Sequence, residues 1–274
     1  MKKRSAYERV LLARDKSRPK ISDYIEALFE DFIELSGDRL GKEDASIMGG
    51  IGFFGSIPVT VVGHRKGNDL NENLTYNFGM PGPEGYRKAL RLMKQAEKYH
   101  RPVITFIDTP GAYPGMEAEE NGISVAIAEN LAKMSSLKVP IIAIVTGEGN
   151  SGGALAIGVA DRVWMLENAV YSILSPEGFA SILWKDASRA KEACDVMKMT
   201  APELLEAGLI DRVIPEAEDG IQSDFTSGVS AMRKALAKEL EYLMSLSAEE
   251  LVDARYEKFR HIEGSHGPVR RVTK

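Results

Sequence analysis

Ile141-Ile142-Ala143-Ile144-Val145-Thr146-Gly147-Glu148-Gly149-Asn150-Ser151-Gly152-Gly153-Ala154-Leu155-Ala156 reads as an apolar strand, a glycine-rich corner and the opening of a helix. Without side chains, Gly152 and Gly153 let a ligand approach the main chain, and the first N–H groups of a helix have no partner inside it. With the positive end of the helix dipole behind them, these donors suit an enolate or a similar oxyanion. A glycine corner of this kind also serves close packing alone. The run Gly149-Asn150-Ser151-Gly152-Gly153 further matches the G-x-S-x-G elbow of serine hydrolases. An elbow serine needs a histidine downstream, and only His261 and His266 follow it, in a charged C-terminal stretch.

Upstream, Val103 to Ile107 is a second buried strand that runs into Asp108-Thr109-Pro110-Gly111-Ala112-Tyr113-Pro114-Gly115. Its prolines and glycines end the strand and can present backbone amides or a wall to a ligand beside the first corner. Gly111, Ala112 and Tyr113 there, with Gly149 and Ser151, are the candidate substrate-contacting residues. Both corners fall at carboxyl ends of inferred parallel strands, where ligands of open α/β sheets bind.

Further out, the pattern predicts helices over 5–15 and 22–35 split at Pro19, the second with Ile25, Leu28, Phe29, Phe32 and Ile33 on one face. A strand pair over 46–54 and 58–64 turns near Gly55-Ser56, and a long polar loop from Arg65 to Gly85 follows. The helix from Pro83 to His100 is apolar at Tyr86, Ala89, Leu90 and Met93; its stripe of Arg87, Arg91, Lys94 and Lys98 is either a solvated face or a contact for an acidic partner or a phosphorylated cofactor. Helices over 117–137 and from Gly152 succeed the two corners, and strands over 162–166 and 170–174 lead to a helix started by Ser175-Pro176-Glu177. Capping boxes at Thr200-Ala201-Pro202-Glu203 and Ser247-Ala248-Glu249-Glu250 open two more helices around a strand at 209–214 and a helix at 229–246. Residues 215–227 look most like a linker, and the tail after Gly264 reads as frayed. Tyr113, Trp184 and methionines such as Met93, Met116 and Met134 are expected to pack inside. The order implies an α/β fold with mostly parallel sheet, as a coil of β-β-α units.

The composition sets limits. The chain has 274 residues, 44% hydrophobic and 27% charged, with a formal net charge of -5, which argues against general nucleic-acid binding. One cysteine, Cys194, excludes an internal disulfide, and four scattered histidines form no metal motif, so no metal is expected here. No secretory leader or membrane span is legible, and a cytoplasmic setting is expected.

Asn77-Phe78-Gly79-Met80-Pro81, Pro83-Glu84-Gly85-Tyr86-Arg87-Lys88-Ala89, Thr105 to Gly115, Gly152 to Gly158, Tyr171 to Gly178 and Ala180 to Lys185 together resemble one family. It is that of the alpha subunits of bacterial acetyl-coenzyme A carboxylase carboxyltransferase. The likeness runs from about Gly37 to Pro215. It implies a crotonase-like spiral of β-β-α units with helical extensions: an arm over 1–36 and the carboxyltransferase domain with C-terminal helices over 37–274. It also implies transfer of a carboxyl group from carboxybiotin, on biotin carboxyl carrier protein, to acetyl-CoA. The product is malonyl-CoA, in the first committed step of fatty acid synthesis. The implied partners are a zinc-ribbon-bearing beta subunit in an α2β2 assembly, the carrier protein and biotin carboxylase; propionyl-CoA stands as an alternative acceptor. Carried over by position, the amides of Gly152 and Gly153 would hold the biotin ureido oxygen. Two departures stand out: Asn150 replaces a glycine of the family's corner, and uncharged Leu74-Thr75-Tyr76 stand where arginines are common.

Overall fold

A computed structural model describes residues 4–262. The predicted frayed tail and His266 lie outside them. The elements are helices α1 (Ala6–Ala13) and α2 (Ile21–Leu28), strands β1 (Glu30–Glu34), β2 (Ile47–Phe54) and β3 (Ile57–His64), then α3 (Leu70–Thr75) and α4 (Pro83–Lys98). Next come β4 (Val103–Thr109), α5 (Met116–Glu120), α6 (Ile123–Ser136), β5 (Ile141–Asn150), α7 (Ser151–Leu155), β6 (Arg162–Leu166) and β7 (Val170–Ser172). Helices α8 (Pro176–Trp184), α9 (Ala190–Met197) and α10 (Ala201–Glu206), strand β8 (Arg212–Ile214) and helices α11 (Phe225–Met244) and α12 (Ala248–Arg260) complete the chain.

One eight-stranded sheet runs in the order β1-β2-β3-β4-β5-β6-β8, with β7 paired to the far end of β5. The first three strands are antiparallel, and β3 through β8 pair parallel. All seven residues of β4 and all ten of β5 are buried, as strands covered on both faces must be. Two glycines set how closely the covering helices approach: a Cβ on Gly49 would lie 2.4 Å from Leu92 of α4, and one on Gly63 would lie 2.5 Å from Ile21 of α2. On the α2 face, Tyr24 stacks on Phe106 of β4 at 5.5 Å and meets the edge of Phe225 of α11 at 5.4 Å.

Three expectations change. The second N-terminal helix stops at Leu28, and residues 30–34 form an edge strand, with Phe29 extended and Asp31 at φ 49°. Phe32 fills the space left by glycines of β2, since a Cβ on Gly50 would lie 2.7 Å from its ring, so cross-strand packing overrides the helical spacing. The helix foreseen over 117–137 breaks into α5 and α6 at Gly122, whose φ of 80° suits glycine. Tyr113 and Met116 are 38% and 77% exposed instead of packed inside, and Trp184 is half-buried against Phe179 and the Arg189 guanidinium, whereas Met93 and Met134 are buried. Helices α3, inside the stretch read as a polar loop, and α9 were not foreseen.

The linker-like stretch is pinned by a buried ion pair. Glu216 accepts Arg18 Nη2 at 2.6 Å, Asn168 N–H at 3.0 Å and Ile221 N–H at 2.9 Å. Burial alone would raise the Glu216 carboxyl; the Arg18 charge and hydrogen bonds from Arg18 and Asn168 outweigh it and hold the group below its usual 4.5. A depressed folded-state pKa stabilises above the unfolded value and is lost as pH falls through the folded one. Denaturant melts should therefore show stability falling below pH 4.5, with Glu216→Gln less stable at pH 7 and flatter on that acid limb. A variant as stable as the parent at pH 7 would refute the assignment.

Candidate functional site

The two predicted corners meet at the carboxyl ends of β4 and β5. A Cβ on Gly153 would lie 2.6 Å from the Gly111 carbonyl carbon and 2.7 Å from the Ala112 nitrogen, so the corners are in main-chain contact. Only glycine fits there. A Cβ on Gly152 would meet nothing nearer than Ile127 Cδ1 at 3.5 Å, an ordinary contact. Gly111 adopts φ 149°, and Thr109 Oγ1 brackets it, donating to its C=O at 2.7 Å and accepting its N–H at 3.0 Å.

Among the hydrogen bonds of the described residues, the N–H groups of Gly152 and Gly153 have no acceptor. They are first-turn donors of α7. That helix has only five residues, so the dipole expected behind the donors is slight, and the N–H groups themselves carry the electrostatics. Gly152 and Ser151 open onto a cavity of about 420 Å³ whose apolar walls include Leu155, Val163, Tyr171 and Leu204. Gly149 lies buried under the Tyr171 ring, a Cβ there being 2.9 Å from it. Tyr113 lines a different cavity, with Lys42, Asp44, Asn77 and Glu84. The structure thus joins Gly111, Ala112 and Gly153, sets Gly152 and Ser151 beside them, and leaves Tyr113 in a separate cavity.

Asn150, the family departure, is extended (φ -112°), so no left-handed backbone is required of it. Its Oδ1 accepts from Ser172 at 2.8 Å and ties β5 to β7. The left-handed residue is Ser151, at φ 58°. His64 lies beneath the corner, 2% exposed, and approaches the backbone of Gly153 and Phe106 without a well-formed hydrogen bond from either ring nitrogen. Burial, with the Lys66 charge nearby, pushes it down to about 3, so it is neutral at physiological pH. His261 sits at the end of α12 with Nδ1 2.6 Å from Glu257 O. Ser151 has no histidine partner among the described residues, and a fluorophosphonate probe should leave it unlabelled; covalent capture would restore the hydrolase reading.

A chain of charges also lies at these strand ends; the sequence places Glu148 and Glu177 beside the corner and the helix start, but their cationic partners are not legible in it. Lys66 Nζ contacts Asp108 Oδ1 at 2.6 Å and Glu148 Oε2 at 3.2 Å; Arg14 holds Glu148 at 2.8 Å and Glu177 at 2.7 Å. Burial would lower Lys66, but Asp108 and Glu148 raise it overall. Charges inside strands this apolar need partners, and that requirement was the available signal. The basic stripe of α4 is partly consumed by structure: Arg87 pairs with Asp38 at 3.1 Å, and Arg91 donates to the carbonyls of Leu35, Ser36 and Gly37.

Solved structures share this architecture. Transcarboxylase 12S matches at a TM-score of 0.70 and 19% identity over 88% of this chain and 45% of that one. A Pseudomonas malonate decarboxylase hetero-dimer matches at 0.66 and 17%, over 90% and 96%. The fold is that of the crotonase-like carboxyltransferases, as the resemblance implied. The family model described as acetyl co-enzyme A carboxylase carboxyltransferase-like matches residues 1–263, and the chain belongs to that family. It is 57% identical over 256 residues to the acetyl-coenzyme A carboxylase carboxyl transferase subunit alpha of Clostridium acetobutylicum, covering 93% of each chain. The Listeria welshimeri protein of the same name is 56% identical over 94% of this chain and 81% of its own. These relatives support carboxyl transfer and overturn the serine hydrolase alternative, in accord with the lack of a histidine partner for Ser151 among the described residues.

Proposed function

We propose that this chain is the carboxybiotin-binding half of an acetyl-CoA carboxyltransferase, completed by a beta subunit in an α2β2 assembly and served by biotin carboxyl carrier protein and biotin carboxylase. The observation that carries the reading is the contact of Gly153 with the Gly111–Ala112 peptide beside unpaired first-turn N–H groups. Fixed donors of this type stabilise charge that develops on an oxygen. The Gly152 and Gly153 amides would hold the biotin ureido oxygen, and Gly111, Ala112, Gly149 and Ser151 would shape the wall around it. The cavity beside Gly152 suits a flat, largely apolar ring with one polar edge. When bound, carboxybiotin supplies the carboxyl group delivered to acetyl-CoA; this chain binds, orients and shields it. Tyr113, in its separate cavity, would contact substrate apart from the ureido oxygen.

The setting proposed is cytoplasmic, and no helix among the described residues is long and apolar enough to cross a membrane. The test mixes purified chain with and without a beta subunit and follows malonyl-CoA-dependent carboxyl exchange. Exchange is expected only in the mixture. Full activity of the chain alone would overturn the shared-site reading.

A further inference from the structure

The ladder between β4 and β5 slips where the corners begin. Ile107 pairs with Val145, yet Thr109 pairs with Gly149, so β5 carries two more residues than β4 over this step. A bulge of this kind leaves ladder groups unpaired and re-aims the chain beyond it. Here the Glu148 N–H is taken by a side chain, donating to Asp108 Oδ1 at 2.9 Å. The bulge has no spare room, since a Cβ on Gly147 would lie 2.3 Å from that oxygen. The same Oδ1 accepts Lys66 Nζ at 2.6 Å, and Lys66 reaches on to Glu148 Oε2 at 3.2 Å. Asp108 and Glu148 are each 7% exposed, and Lys66, just beyond β3, is the cation that lies between them.

We infer that Lys66 is a positioning residue: by pairing with Asp108 and bridging it to Glu148, which Arg14 also holds, it keeps the β5 bulge in place, and through the bulge it sets Gly153 against Gly111. Its effect on turnover rests on the carboxyltransferase reading; its effect on the bulge does not. Without Lys66, Asp108 is a buried carboxylate short of its closest cation, and it must take up a proton or swing toward water. The swing breaks its acceptance of the Glu148 N–H, and protonation at neutral pH costs free energy that destabilises the bulge even though an acceptor oxygen remains. An amide in place of Asp108 keeps an acceptor oxygen and carries no charge.

The experiment compares Lys66→Met, Asp108→Asn and their combination in the alpha–beta complex, with hydrogen exchange of the segment 146–153 measured on the purified chain. Lys66→Met is expected to lower kcat about 10–100-fold, with KM for acetyl-CoA within about twofold, and to speed exchange of that segment. Adding Asp108→Asn removes the stranded charge and should recover at least tenfold of the kcat and most of the protection. If Lys66 instead touched substrate, the double variant would stay as inactive as Lys66→Met. Unchanged exchange in Lys66→Met would overturn the inference whatever the assay shows. Faster exchange that the second substitution reverses, with kcat unchanged, would uphold the bulge but overturn its link to turnover and count against the carboxyltransferase reading of the corner.

Discussion

Gly153→Ala is expected to lower kcat by about 10²–10³-fold, the loss that follows removal of one oxyanion donor, while Gly152→Ala leaves most of the activity. The asymmetry is geometric. A single methyl on Gly153 lands 2.6 Å from the Gly111 carbonyl carbon, against backbone that cannot rotate aside, whereas one on Gly152 meets Ile127 Cδ1 at 3.5 Å. Relief of the first overlap must part the two corners or tilt the first turn of α7, and both movements mis-aim the N–H groups. Both substitutions keep their own N–H, so the contrast isolates placement of the donors from their number. Steady-state carboxyl transfer by the alpha–beta complex, with thermal melts to verify folding, reads the result. Equal losses in the two variants, or full activity in Gly153→Ala, would sink the proposed role of this corner.

Much of that geometry was legible because it is local. The apolar runs of β4 and β5, the glycine pair behind them and the caps at Ser175, Thr200 and Ser247 are patterns of a few neighbouring residues, and each forms as the spacing predicts. The position of Glu148 beside the corner was legible, but the pairing of Asp108 and Glu148 escaped, although both end apolar strands. Their partners lie far off in the chain: Lys66 is 42 residues before Asp108 and 82 before Glu148, and Arg14 is 134 before Glu148. Single charges at such separations form no pattern. The β1 strand was misread for a related reason, because Phe32 answers to the glycines of β2 and not to its neighbours in sequence.

The largest stability effect is expected at the opposite end of β5. Arg255 of α12 is 1% exposed and spends its guanidinium on five contacts. Two go to Asp161, both at 2.9 Å, and the others to the carbonyls of Met134, Leu137 and Val139. Asp161 also accepts the Ile141 N–H at 2.7 Å and so fixes the start of the strand. Arg255→Met leaves a buried carboxylate without its counter-charge and takes the side-chain donor from three carbonyls, of which only that of Met134 keeps another among the described residues, the Leu137 N–H at 3.4 Å. Breaking a buried pair in this way costs about 3–5 kcal/mol. For a chain of this size the midpoint of thermal unfolding should fall by about 10 °C. Adding Asp161→Asn removes the stranded charge and should recover part of the loss. The proposed catalytic corner lies a full strand away, roughly 30 Å at the usual rise per residue. At temperatures where the variant is folded, its kcat should match the parent's. A midpoint within 2 °C of the parent would refute the claim that α12 is anchored by this pair. A stable variant with low kcat would instead connect the C-terminal helix to catalysis.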